Sequence, residues 1–100
     1  MNKIQKIIYW CAKEAEGIWD IIDEISGSEN ISKLKAIELF MKEFDFIKQN
    51  NEILLLKSDK LYDNLSIKVL DKNALLSFKY KDFQFNKTGP FYYLSDMPCI

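Results

Sequence analysis

No histidine and no arginine occur among the 100 residues, and glycine is confined to Gly17, Gly27 and Gly89. Each absence removes a class of chemistry. Without imidazole the chain cannot build a Ser-His-Asp triad, a Cys-His dyad, a zincin helix or a His-ligated metal site from its own residues. Without guanidinium it has no planar fork for bidentate recognition of phosphate, carboxylate or guanine, and all 14 cations are lysines, which act as point charges. Three isolated glycines do not make the phosphate-cradling loop of a P-loop or Rossmann protein. Long apolar runs are missing too. Ile53–Leu56 and Phe91–Leu94 span four residues each, against the ~20 that cross a bilayer as a helix. Two cysteines, Cys11 and Cys99, define no disulfide framework. The first residues enter an amphipathic pattern directly, with no signal-peptide core. The expectation is a soluble, cytoplasmic protein with no membrane partner.

What remains is sufficient for a folded core. The chain is 48% hydrophobic and 14% aromatic with a formal net charge of −1, which predicts one ordered domain over 1–100 rather than a disordered tail. Ile4, Ile7, Ile8, Cys11, Ala15, Ile18, Ile22 and Ile25 recur at helical spacing, and this predicts a first helix across 4–25 with one apolar stripe. Cys11 falls in that stripe and reads as a small buried hydrophobe. Trp10 and Trp19 flank it, as rings that seal a core edge, with a binding role as the alternative. Gly17 marks a bend in this helix or the approach of another backbone. Gly27, in the polar stretch Ser26–Asn30, is the expected left-handed stop. A second helix is predicted over 32–49, with Leu34, Ile37, Phe40, Met41, Phe44 and Ile47 inward and Asn50-Asn51 as terminator.

The period then changes from helical to alternating. Ile53–Leu56, a turn at Ser58-Asp59 and Leu61-Tyr62 read as a hairpin, and 65–70 and 76–81 read as half-buried strands about a turn at Asp71-Lys72-Asn73. Phe83, Phe85 and Phe91–Leu94 add a last strand. A third helix from Ile67 to Phe78 is the competing reading. The predicted class is therefore α+β: two N-terminal antiparallel helices packed on a C-terminal antiparallel β-meander of three to five strands. Leu65, Ile67, Val69, Leu76, Phe78 and Tyr80 form the face that the helices cover.

Charge is unevenly placed. Residues 14–32 hold Glu14, Glu16, Asp20, Asp23, Glu24 and Glu29 and no base. Acids toward the C-terminal end of a helix oppose its dipole, at ~0.3–1 kcal/mol each, so helix stability alone does not select this arrangement. Glu16, Asp20, Asp23, Glu24 and Glu29 are the candidate partner-binding residues, an acidic patch facing a basic protein surface. The alternative is a solvated helix face. The same carboxylates lack the alternating oxygen ligands of a calcium loop, no residue constellation demands a catalytic cleft, and neither a cofactor nor a metal is expected. Nucleic-acid binding is unlikely on charge. The second helix offers Lys33, Lys35, Lys42 and Lys48 against Glu38, Glu43 and Asp45, little net charge for counterion release.

The run Leu61-Tyr62-Asp63-Asn64-Leu65-Ser66-Ile67-Lys68-Val69, followed by Leu76-Ser77-Phe78-Lys79-Tyr80-Lys81-Asp82-Phe83, resembles the hairpin of YezG-like immunity proteins. Those small bacterial proteins place an aromatic, a short alternating strand, a turn and an F-x-Y-x-D-like strand after a long helix. Asn73 stands where their turn has glycine. The resemblance implies a cytoplasmic α+β protein that binds and neutralises a cognate toxin, in many cases a nuclease. It assigns no contact residues. Three functions are thus carried forward: a non-enzymatic immunity or inhibitor protein, a small winged-helix-type DNA-binding regulator, and an accessory subunit of a larger complex.

Overall fold

The computed structural model describes residues 1–49, 53–61 and 67–96. Three helices come first: α1 (Lys3–Lys13), α2 (Ile18–Glu29) and α3 (Lys33–Ile47). Strands β1 (Leu54–Ser58), β2 (Lys68–Leu70) and β3 (Phe91–Ser95) follow, with two 3-10 segments, Lys72–Ser77 and Tyr80–Phe83, between β2 and β3. The α+β class holds, with helices N-terminal and an antiparallel sheet C-terminal. Among the described residues there are three α-helices rather than two.

The expected first helix breaks at 14–17 for a backbone reason. Ala15 adopts a left-handed conformation, φ 53°, and the amides of Ala15 and Glu16 return to the carbonyls of Ala12 and Cys11 at 3.0 Å each. That is a Schellman closure, which consumes the last orphan carbonyls of α1. The freed backbone then runs beside β3. Gly17 bridges Tyr93 in antiparallel fashion, Leu94 donates to the Glu16 carbonyl at 3.2 Å, and Asp96 donates to that of Ala12 at 3.1 Å. Gly17 thus admits another backbone, one of the two outcomes read from sequence. It is also where the Trp19 indole lies, since a Cβ at this position would overlap that ring.

Gly27 is not the helix stop. It sits inside α2 with open space around it, and Asn30, at φ 53°, is the left-handed terminator. Asn30 can take this role because its short polar side chain lowers the cost of the left-handed region. Ser32 then caps α3 by accepting from the Lys35 amide at 3.2 Å, so α2 and α3 meet across a three-residue turn, Asn30–Ser32.

The sheet order is β2-β1-β3, both pairings antiparallel. This is not a meander, because β3 returns to pair with β1 instead of adding beyond β2. Leu55 opposite Leu94 faces the helices, whose contributions include Ile8, Cys11, Ile21, Ile22, Ile25 and Phe40. Leu56 opposite Tyr93 points the other way, into a second cluster with Phe91, against which Trp19, Leu54 and Ile67 pack. Apolar cover on both faces is why β1 is a continuous apolar run and not an alternating one.

Two further strand expectations fail: that for 76–81, and the extension of the last strand back to Phe83 and Phe85, since β3 begins at Phe91. Residues 76–81 are not a strand, for Asp71 caps the first 3-10 segment by accepting from the Asn73 amide and Asp82 accepts from the Lys79 amide, each at 2.8 Å. The alternative of a helix over 67–78 is also only partly met, as a 3-10 segment over Lys72–Ser77. The face assigned to the core is largely in water: Val69, Leu76 and Tyr80 are exposed. The core aromatics of this region are instead Phe83, edge-on to Phe40 at 6.3 Å, and Phe91. The proposed pairing of Leu61-Tyr62 and the position of Leu65 lie outside the described residues in part or whole. Among the described residues no helix is long and apolar enough to cross a membrane.

Candidate functional site

The acidic residues divide into two groups according to what their elements pack against. Glu16 belongs to the α1–α2 connector, half-buried beside the Cys11 thiol, with Oε2 enclosed and without a hydrogen-bond partner among the described residues. Asp20, in the first turn of α2, and Asp23, one turn on, are exposed. Partial burial first, and then the Glu16 and Asp23 carboxylates, push the Asp20 carboxyl above its ordinary value. These three are therefore close enough to repel one another. Glu24 and Glu29 turn toward α1. Glu24 lines a shallow groove with Lys3, Lys6, Ile7 and Trp10, and Glu29 accepts from Lys3 Nζ at 3.2 Å.

Neutralisation by the chain's own lysines is partial. Asp23 pairs with Lys33 at 3.2 Å and Glu29 with Lys3, but no lysine among the described residues is within ion-pair distance of Glu16, Asp20 or Glu24. Exposed pairs of this kind contribute ~0–1 kcal/mol and exchange readily with other cations. The α3 side differs. Lys35 pairs with Glu38 at 3.5 Å and Lys48 with Asp45 at 2.7 Å, so with Lys33 already engaged α3 presents little uncompensated positive charge.

Beside the acidic face of α2 lies a cavity of about 350 Å³, lined by Trp19, Ile22, Asp23, Lys33, Ile37, Tyr80, Phe83, Gln84 and Phe85. Trp19 is held there from behind, edge-on to Phe85 at 5.3 Å, Tyr93 at 5.5 Å and Phe91 at 6.1 Å. Sequence reasoning placed Tyr80 and Phe85 in strands and missed this wall. The available signal was the density of Phe and Tyr between 78 and 93, more rings than a single three-strand face buries. Trp10, by contrast, is 57% exposed on α1, and Cys11 is fully buried, with burial and the adjacent Glu16 carboxylate both pushing its thiol far above the ordinary range. A thiol in that state is a packing group. Among the described residues no three His, Cys, Asp or Glu side chains converge as a metal site would require.

No family model matches the chain, and comparison with curated proteins and with solved structures gave no significant match.

Proposed function

We propose that the protein is a non-enzymatic immunity or inhibitor protein that binds a cognate bacterial toxin through the acidic side of α2 and so neutralises it. The supporting observation is Asp20, exposed, crowded by Glu16 and Asp23, and without a lysine of its own chain in reach. Such crowding destabilises the free protein slightly and becomes favourable once a basic surface covers it. A nuclease, whose substrate groove is positively charged, is the toxin class best matched to this surface. The likeness of 61–69 and 76–83 to YezG-like immunity proteins is one of sequence pattern only, since the strand it implies over 76–83 is replaced by 3-10 segments.

Co-expression with the product of the adjacent reading frame tests the proposal. Withholding this protein should expose that product's toxicity, and Asp20→Lys with Glu24→Lys should lower affinity roughly tenfold or more, chiefly through the association rate at low salt. Both positions are exposed, so circular dichroism should be unchanged. Unaltered protection by the double variant would remove α2 from the interface.

A DNA-binding regulator is the second reading, and the order of elements favours it. A helix, a stub paired to the sheet at Gly17, two helices across the Asn30–Ser32 turn, and then antiparallel strands follow the plan of a winged helix-turn-helix. In that plan α3 enters the major groove. Lys33 and Lys35 are paired with Asp23 and Glu38, and Lys42 stands among Glu38, Glu43 and Asp45 in sequence, so α3 carries little net positive charge and the inhibitor reading is preferred. Duplex binding with a steep salt dependence would reverse the preference.

A further inference from the structure

The cavity beside α2 has a composition that the acidic surface alone does not explain. Tyr80 and Phe85 remain 43% and 47% exposed at its rim, although Phe83, between them in sequence, is buried. The segment therefore had an apolar interior available and still leaves two rings in water. Asp23 closes the α2 side, paired with Lys33 at 3.2 Å, and more than half of each of these two side chains is exposed.

We propose that this cavity seats one arginine side chain of the partner protein, an assignment that rests on the inhibitor reading above and extends it to an anchoring residue. A guanidinium is the occupant whose chemistry fits both walls. It is planar and weakly hydrated, so it lies against aromatic rings at little desolvation cost. It also donates to a carboxylate through two parallel N–H groups, which the Lys33 ammonium cannot do. On binding, the guanidinium takes over Asp23 and Lys33 returns to water. A volume of about 350 Å³ is at the small end of ligand sites, room for one long side chain and not for a strand or helix. An anionic occupant would find the only lining cation, Lys33, already paired with Asp23 and would have to displace that carboxylate while remaining beside it. Arginine anchors in such pockets are a common source of binding energy at protein interfaces.

The test titrates four blocked tripeptides, Gly-X-Gly with X arginine, citrulline, lysine or glutamate, into the isotope-labelled protein while following both indole N–H signals by NMR. The arginine peptide should shift the Trp19 signal saturably in the millimolar range expected of so small a ligand, roughly 1 to 10 mM, and leave Trp10 in place. Citrulline, its neutral isostere, should produce no saturable shift, and lysine should bind several-fold more weakly. Asp23→Asn should weaken the arginine peptide about five- to tenfold. Phe85→Ala should weaken it too, and provides a second variant if either one perturbs the fold. Equal shifts from citrulline, a Trp10 response matching that of Trp19, or no response to arginine would each overturn the assignment. Should that happen while Asp20→Lys with Glu24→Lys still abolishes protection, the cavity fails and the acidic surface stands. If arginine binds but that double variant protects normally, the inhibitor reading of α2 fails instead.

Discussion

In the helical half, 3–47, buried side chains fall at spacings of three and four along each helix: Ile4, Ile8 and Cys11, then Ile18, Ile21, Ile22 and Ile25, then Ala36, Phe40, Phe44 and Ile47. In the strand half they arrive as runs and rings, Ile53–Leu56 and Phe91–Leu94 with Phe83, because the sheet is covered on both faces and the 3-10 segments fill gaps instead of following a period. One half writes its burial into local sequence. The other depends on partners far along the chain. The functional surfaces follow the same division, with carboxylates displayed on a helix whose outer face is set by its own period and an aromatic cavity assembled only when residues 80–85 fold back onto α2.

The strongest way to break this comparison is at Phe40, which stacks on Phe44 at 5.5 Å within α3 and meets Phe83 edge-on at 6.3 Å from the strand half. Phe40→Ala should cost about 3–5 kcal/mol, read by urea unfolding. Both circular dichroism and Trp19 fluorescence should then report one shifted transition. Two separated transitions would mean that the halves are independent. Gly27→Ala tests the purely local rule. At an exposed helix-interior position with open space around it, alanine should stabilise by about 0.5–1 kcal/mol. A loss of that size would restore Gly27 as a left-handed stop. The smallest effect, a few tenths of a kcal/mol after solvent screening, belongs to Asp20→Asn. The Asp20 carboxyl titrates higher folded than unfolded, so its ionisation opposes folding at neutral pH and that cost disappears as pH falls through the raised value. The variant should therefore be more stable than the parent at pH 7 and indistinguishable from it below the carboxylate range.

Sequence alone carried the fold class, the inward positions Phe40, Phe44 and Ile47 of α3 though not Leu34, which is exposed, and the Phe91–Leu94 part of the last strand, since each is encoded by neighbours within one or two turns or by a single run. It marked Gly17 as a bend or close approach but ran one helix through 14–17, because Ala15 and Glu16 are ordinary helix formers and the backbone that pairs with the break, at Tyr93, lies 76 residues after Gly17. It was right that Phe78 packs on the core but mistook Leu76 and Tyr80 for parts of the same inward face, since alternation is also what an irregular segment shows by chance when capped by Asp71 and Asp82. For the acidic residues, exposure of Asp20 and Asp23 was legible from the helical wheel, whereas Glu16, placed on the same outward side, is half-buried and Glu24, placed at the margin, is exposed. The neutralisation of Glu29 and Asp23 was not, for it is decided by where α1 brings Lys3 and α3 brings Lys33.

The stub at Glu16–Gly17 occupies the outer side of β3, and this bears on how copies of the chain can associate. Fibre growth by strand addition requires a sheet with two open borders, one to accept and one to offer. Among the described residues only β2, three residues long and carrying Lys68, is left on the far border. Among the described residues, strand addition is therefore confined to β2 and to the Phe91–Tyr92 end of β3 that the stub does not reach, both too short to template an extended pairing.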